Sequence, residues 1–291
     1  MSDYSGKIEY KAKSLRYSFS EEEHQLEITS AEDKIVKQWY NKHQGIWTRL
    51  KSFDCPELII KIGQEIPSYR RGTYTYSIDD CFVFWNFGDS KNEVHRITYC
   101  SDILDSFYRP KNHMLNISRA LNAFSSKERK HFPRVRTHSL KFGDKEIRFL
   151  FCEMVERRPY EAKDIVIYNI LRVESESALT YDEVVRINTI VERFLSFVAC
   201  SRSININTIR INDYGLLECS DYACGHCMIG APSERAIGGV VLDYAHISSK
   251  LNEIFELIYN DDICFISLFQ YEADKISPVD IMNICAAFEY H

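Results

Sequence analysis

The chain has 291 residues, 45% of them hydrophobic and 13% aromatic, enough to bury a substantial core in one large domain or two modest ones. With 27% charged residues, only 11 glycines and 7 prolines, and a net charge of −6, it is neither low-complexity nor disordered, and it lacks the charge of a dedicated nucleic-acid coat. No stretch approaches the roughly 20 uninterrupted apolar residues of a membrane helix, and the polar opening Met1-Ser2-Asp3-Tyr4 carries no apolar signal region, so the expectation is a cytoplasmic protein with no membrane partner.

The first predicted strand runs over Lys7–Phe19, where apolar and polar residues alternate. A short helix is predicted near Asp33–His43. Gly72–Ile78 and Cys81–Phe87 then read as two strands, with Asp79 and Asp80 in a turn between them. A second short helix is predicted over Asp102–Ser125. Glu146–Cys152 and Asp164–Val173 continue the strand pattern.

The texture changes after Glu174. Thr180-Tyr-Asp-Glu183 has the spacing of a capping box, in which a Ser/Thr and a Glu three residues on satisfy each other's free amides. Val184, Ile187, Val191, Phe194 and Val198 follow at helical spacing and predict one buried helix face. Asp261-Asp262 reads as a turn. At the end, Ser277 can cap, Pro278 suits the first helical position and Asp280 favours the helix start, with Ile281, Ile284, Cys285 and Phe288 as the apolar stripe. That stripe is expected to continue into further chain past His291. The whole predicts an α+β fold, a β-rich, sandwich-like domain over 1–174 and a mixed helical part over 175–291.

Cys81, Cys152, Cys264 and Cys285 sit singly in apolar runs and read as small buried hydrophobes with free thiols. Cys219, Cys224 and Cys227 are different: three thiols within nine positions, in a glycine-containing stretch, are candidates for three of the four ligands of a structural zinc site, and a cysteine-bearing strand and turn with no metal explains the same residues. His226 is adjacent to Cys227 and is a poor fourth ligand, so Cys200 or His246 would have to complete the shell. Residues 127–148 carry eight Lys/Arg against three acids, and Arg129, Lys130, Arg134 and Arg136 are candidate phosphate contacts, with Phe132, His131 or His138 available for stacking on bases. A solvated, charge-guarded edge strand explains the same residues. The sequence contains no Gly-x-Ser-x-Gly, Gly-x-Gly-x-x-Gly, Walker or His-Glu-x-x-His motif.

Two stretches, Val191–Cys200 followed by Ile204–Arg210, and the terminal Ile276–His291, together resemble the N-terminal region of ApeA-like proteins. These are bacterial abortive-infection proteins in which a β-rich domain precedes a helical HEPN ribonuclease domain. The resemblance implies a non-catalytic sensing or regulatory portion with a phage protein or RNA as its ligand. It further implies a homo-oligomer seeded by the C-terminal helix, which would open the HEPN unit. The Arg-x4–6-His motif of HEPN nucleases occurs at none of the nine histidines; Arg134 and His138 have only three residues between them. No catalytic residue is carried over. The alternative is a zinc-containing RNA-processing or hydrolytic enzyme built on the Cys219–Cys227 region.

Overall fold

The alternation early in the chain becomes strands and the 3.6-residue pattern later becomes helices, giving an α+β fold with a β-rich N-terminal part. The computed structural model describes residues 3–53, 56–85, 91–108, 129–133 (backbone only), 137–157, 165–199, 201, 204, 206–213, 222–229 and 242–262. Its strands are β1 (Asp3–Tyr10), β2 (Lys13–Ser20), β3 (Gln25–Thr29), β4 (Trp47–Lys51), β5 (Pro56–Ile62), β6 (Ser68–Arg70) and β7 (Thr73–Trp85). Then come β8 (Val94–Cys100), β9 (Arg129–Pro133), β10 (His138–Phe142), β11 (Lys145–Arg157), β12 (Ile165–Leu179), β13 (Thr208–Ile211) and β14 (Cys224–Cys227). The helices are α1 (Asp33–His43), α2 (Asp102–Phe107), α3 (Tyr181–Ala199), α4 (Tyr244–Ile247) and α5 (Leu251–Tyr259). The helix expected at 277–291 lies outside the described residues, as does 109–125 of the one expected at 102–125.

Two compact units result. One comprises Met1–Val94 with Ile209–Asp213 and Ser220–Ala231; the other comprises His95–Thr208 with Tyr214–Cys219 and Pro232–His291. The division falls at Val94, whereas residue 174 lies inside β12.

In the first unit, antiparallel pairing runs β1–β2–β3–β7–β5–β4. The ring closes where Gly6 of β1 bridges Ser52 and the Phe53 amide donates to the Ser5 carbonyl at 2.8 Å. The expected sandwich-like packing is thus realised as a closed barrel, whose inward positions, such as Leu15, Phe19, Leu26, Ile28 and Leu58, are at most 1% exposed. Helix α1 caps one end by burying Val36, Trp39 and Tyr40 in the same core, with the Tyr40 hydroxyl donating to the Glu65 carbonyl at 3.0 Å. Asp33 in its first turn and Lys42 and His43 in its last complement the helix dipole.

Closure requires a glycine at position 6. A Cβ there would lie 2.3 Å from the Lys51 carbonyl oxygen and 2.5 Å from Tyr17 Cε1. Tyr17, the cross-strand partner of Gly6, lays its ring where that side chain would stand.

Two local differences from the sequence reading have clear causes. Lys7–Phe19 is a hairpin rather than one strand, turned by Lys11 and Ala12 at φ 49° and 59°; neither is the Asn or Gly such turns favour, so no turn signal marks it. Asp79 and Asp80 are not a turn but part of the 13-residue strand β7. The register shifts there, Lys61 pairing with Asp80 and Ile62 with Ile78, so Asp79 forms a bulge. The bulge reverses the alternation, which lets Tyr74, Tyr76 and Ile78 before it and Cys81 and Val83 after it all face one core.

In the second unit the strand order is β8–β12–β11–β10, with β9 also on β11. Phe149 and Phe151 on one face of β11 pack with Phe107, Phe194 and Phe255 from α2, α3 and α5; Phe149 stacks on Phe255 at 4.0 Å and Phe194 lies 4.8 Å from Phe255. Each such ring contributes about 1.5–3 kcal/mol by burial. The predicted capping box forms: the Glu183 amide donates to Thr180 Oγ1 at 3.2 Å and the Thr180 amide to Glu183 Oε2 at 2.7 Å. Lys145 Nζ adds a 2.6 Å bond to the same carboxylate.

Replacing Gly6 with alanine forces β1 and β4 apart and is expected to cost about 1–3 kcal/mol, read as a lower urea midpoint. A midpoint equal to wild type would show that closure at this bridge is not needed.

The capping carboxyl generates a pH prediction. Burial alone would raise Glu183, but the bonds from Lys145 and Thr180 outweigh it and hold the group below its ordinary 4.5. A depressed folded value means the box stabilises fully above pH 4.5 and is lost as pH falls through the lower folded value. Glu183→Gln should therefore flatten that part of the acid-unfolding curve followed by circular dichroism. An unchanged acid limb would contradict it.

Candidate functional site

The cysteine-bearing stretch singled out in the sequence becomes strand β14, because Ala223 to Cys227 runs extended along the free edge of β7. Cys224, Gly225, His226 and Cys227 pair with Trp85, Phe84, Val83 and Phe82. The glycine is needed for this approach, since a Cβ at position 225 would lie 2.3 Å from the Val83 carbonyl oxygen. On its other edge β14 pairs with β13, Arg210 opposite His226.

Extended backbone sends residues three apart to opposite faces. Cys224 is accordingly exposed and its thiol donates to the Asn212 carbonyl at 3.1 Å, while Cys227 is buried. The two sulfurs therefore do not converge on one point. Cys219 and Cys200 lie outside the described residues, and His246 lies within helix α4 of the second unit, its amide donating to the capping Asp243 carboxylate at 3.1 Å. Among the described residues no group of three or more His, Cys, Asp or Glu gathers as metal ligands would.

What converges on β14 is a set of polar clamps. His226 Nε2 lies 2.9 Å from Glu21 Oε1, and His24 Nε2 lies 3.3 Å from the Ile229 carbonyl oxygen, so the β2–β3 turn grips the strand's far end. Asn212, fully buried with φ 49°, donates through Nδ2 to the Glu93 and Ala223 carbonyls at 2.7 and 3.0 Å and holds the near end. Glu21 and Asn212 carried no motif in the sequence; the one available signal was Asn212-Asp213 following a β-branched run, a turn marker.

The thiols here are poor nucleophiles. Burial pushes Cys81 up well above its ordinary value, reinforced by Glu21, Cys227 and Asp80. Partial desolvation and then the Asp213 charge raise Cys224, and burial takes Cys152 to about 11. Thiolates attack and thiols do not.

The predicted basic contacts are only partly placed. Arg129 and Lys130 belong to β9, where they pair with Glu156 and Val155, and Arg134 and Arg136 lie outside the described residues. His138, offered as a stacking residue, is instead 1% exposed, with Nε2 2.9 Å from the Tyr244 hydroxyl and Nδ1 3.2 Å from Asn252 Oδ1. It is a hydrogen-bonded core histidine and not a surface platform for bases.

No protein family, curated protein or solved structure matches this chain.

Because Cys224 is the exposed thiol among the described residues while Cys81, Cys100, Cys152 and Cys227 are buried, alkylation of the folded protein should mark Cys224 before those four. Peptide mass spectrometry after brief iodoacetamide treatment reads the order. Early labelling of Cys227 would mean that β14 detaches from β7.

Proposed function

We propose that this chain is the sensing and regulatory portion of a bacterial anti-phage defence protein of the HEPN ribonuclease type, and that it recognises a ligand without performing the chemistry. Supporting the reading is the resemblance in Val191–Cys200 and Ile204–Arg210; Val191–Ala199 of the first is the end of α3, with Val191, Phe194, Leu195 and Val198 buried. The observation that carries it is the path of the chain. After leaving the barrel unit at Val94, the chain returns to it at Ile209–Asp213 and Ser220–Ala231 before continuing toward its C-terminus. Strand β14 is thus laid into the barrel unit's sheet and clamped by Glu21 and Asn212, immediately upstream of the segment that bears α4 and α5. A ligand that strained the barrel would act on β14, and through the backbone on whatever follows it. Regulated effectors are switched through such locally held elements. The buried, raised thiols and the core-bound His138 also suit a recognition role.

The test is intact mass spectrometry of the endogenous protein, followed by phage challenge of cells expressing it. A mass above 34.1 kDa, with an Arg-x4–6-His helix in the extension and protection lost in Gly225→Val, supports the reading. A mass of 34.1 kDa, or protection unaffected by releasing β14, removes it.

A further inference from the structure

The outer wall of the barrel carries a line of cations that lack ion-pair partners among the described residues. Gly6 bridges Ser52 in the antiparallel sense and the Phe53 amide donates to the Ser5 carbonyl, so Lys51 of β4 stands opposite Lys7 of β1. Lys7 in turn is the cross-strand partner of Arg16 on β2. Residues directly opposite one another share a face of the sheet, and all three side chains are exposed. Past Arg16 the line continues through Thr29 of β3 to Thr73 of β7, whose hydroxyls lie 3.2 Å apart.

Neighbouring cations are paired, and these three are not. Lys13 meets Glu32 at 2.7 Å and Arg49 meets Glu57 at 3.0 Å. Lys7, Arg16 and Lys51 make no ion pair or side-chain hydrogen bond among the described residues. Two carboxylates share this face in the adjoining rows. Glu9 lies two residues along from Lys7 and opposite Ser14, while Glu27 accepts from Ser18 Oγ at 3.3 Å. Neither closes on the cations. Like charges set directly opposite one another destabilise a sheet. Sheet edges accept lysines because they fend off other chains, but β1 is not an edge, since it pairs with β2 along its length and meets β4 at the seam. One row away, opposite Ser5, the Phe53 side chain is 62% exposed. An aromatic ring therefore borders the three cations.

We propose that Lys7, Arg16, Lys51 and Phe53 form a binding surface for single-stranded nucleic acid, with the cations on successive phosphates and the Phe53 ring against a base. The cations span two strand spacings, about 10 Å in all, which suits neighbouring phosphates of one extended strand. Phosphate contacts alone would accept any polyanion, and the exposed ring makes the choice. Bases within a duplex stack on each other, whereas those of a single strand have faces free for an aromatic side chain. The net charge of −6 disfavours a polyanion over the chain as a whole, so a local surface has to supply the attraction. Binding is a property of the chain itself, and the proposal is independent of the defence reading.

The experiment titrates the full chain into a labelled oligouridine and reads fluorescence anisotropy over a series of salt concentrations. Three phosphate contacts predict a slope of about −2 for log K against log salt, each contributing about −0.7 on a single strand. Lys7→Gln and Arg16→Gln should each shrink that slope by about 0.7. Phe53→Ala should weaken binding about 5- to 150-fold and leave the slope unchanged. Thermal unfolding separates binding from architecture: Lys7→Gln relieves a like-charge contact, so its midpoint should equal or exceed that of wild type. No anisotropy change at low salt overturns the surface. So does binding indifferent to all three substitutions, because the strand then sits elsewhere. Tighter binding of a duplex than of the single strand removes the role given to Phe53 and with it the assignment. Phosphatidylserine vesicles captured through Lys7, with oligouridine ignored, would make this wall a membrane-facing surface and overturn the proposal.

Discussion

The first unit depends on a backbone contact that admits no side chain. Where β1 meets the end of β4, the Lys51 carbonyl occupies space that any Cβ on residue 6 would claim, and the Tyr17 ring covers the gap from the adjacent strand. With that seam closed, six described strands share one core, and every inward residue gains neighbours on all sides. With it open, Tyr4, Ile8 and Leu50 would face water along two edges. Helix α1 can cap only a ring, so Trp39 and Tyr40 owe their burial to the same seam. The bulge at Asp79 extends the benefit, since it turns Cys81 and Val83 into the core that Tyr74 and Tyr76 already line.

The second unit is organised by the difference between its two sheet faces. Phe149 and Phe151 interlock with helix-borne rings, a geometry that adds edge-to-face and stacked contacts to simple burial. Among the described residues, His138 is held inside this layer between the Tyr244 hydroxyl and Asn252 Oδ1. The opposite face mixes a small apolar cluster of Cys100, Cys152, Met154 and Ile170 with the arginine group around Glu174. Burying guanidiniums beside such a cluster stabilises nothing by itself. Glu174 supplies them with counter-charge, Arg96 Nη2 at 3.0 Å and Arg172 Nε at 3.1 Å from one of its oxygens.

Much of this was legible because it depends on spacing. Thr180 and Glu183 announced a helix start and formed the reciprocal bonds of a capping box, and Val184, Ile187, Val191, Phe194 and Val198 are all buried along α3. The α+β class followed from the same periodicities. What stayed hidden depends on tertiary geometry. Lys11-Ala12 turns a hairpin without turn residues because the pairing of β1 with β2 imposes it. Gly6 looks like any glycine until β4 arrives. Cys224 and Cys227 have the spacing of a metal knuckle, but knuckles are tight turns and this segment is held straight by β7 and β13. The arginine group was also out of reach, since Arg96, Arg148 and Arg172 are far apart in sequence and meet only across three strands.

The late arrival of β14 has a consequence for how the protein is made. Residues 82–85 of β7 end in the uncharged, aromatic run Phe-Val-Phe-Trp, and one of their edges is completed only by Cys224–Cys227. During translation the intervening chain takes on the order of ten seconds to emerge, at roughly 5–20 residues per second. For that interval the nascent barrel presents an unpaired, strongly β-forming edge of the kind that recruits other chains. Crowded polysomes would set several such edges side by side. The protein should therefore lean on ribosome-associated chaperones more than its size suggests, and slow codons after Trp85 would lengthen its exposure.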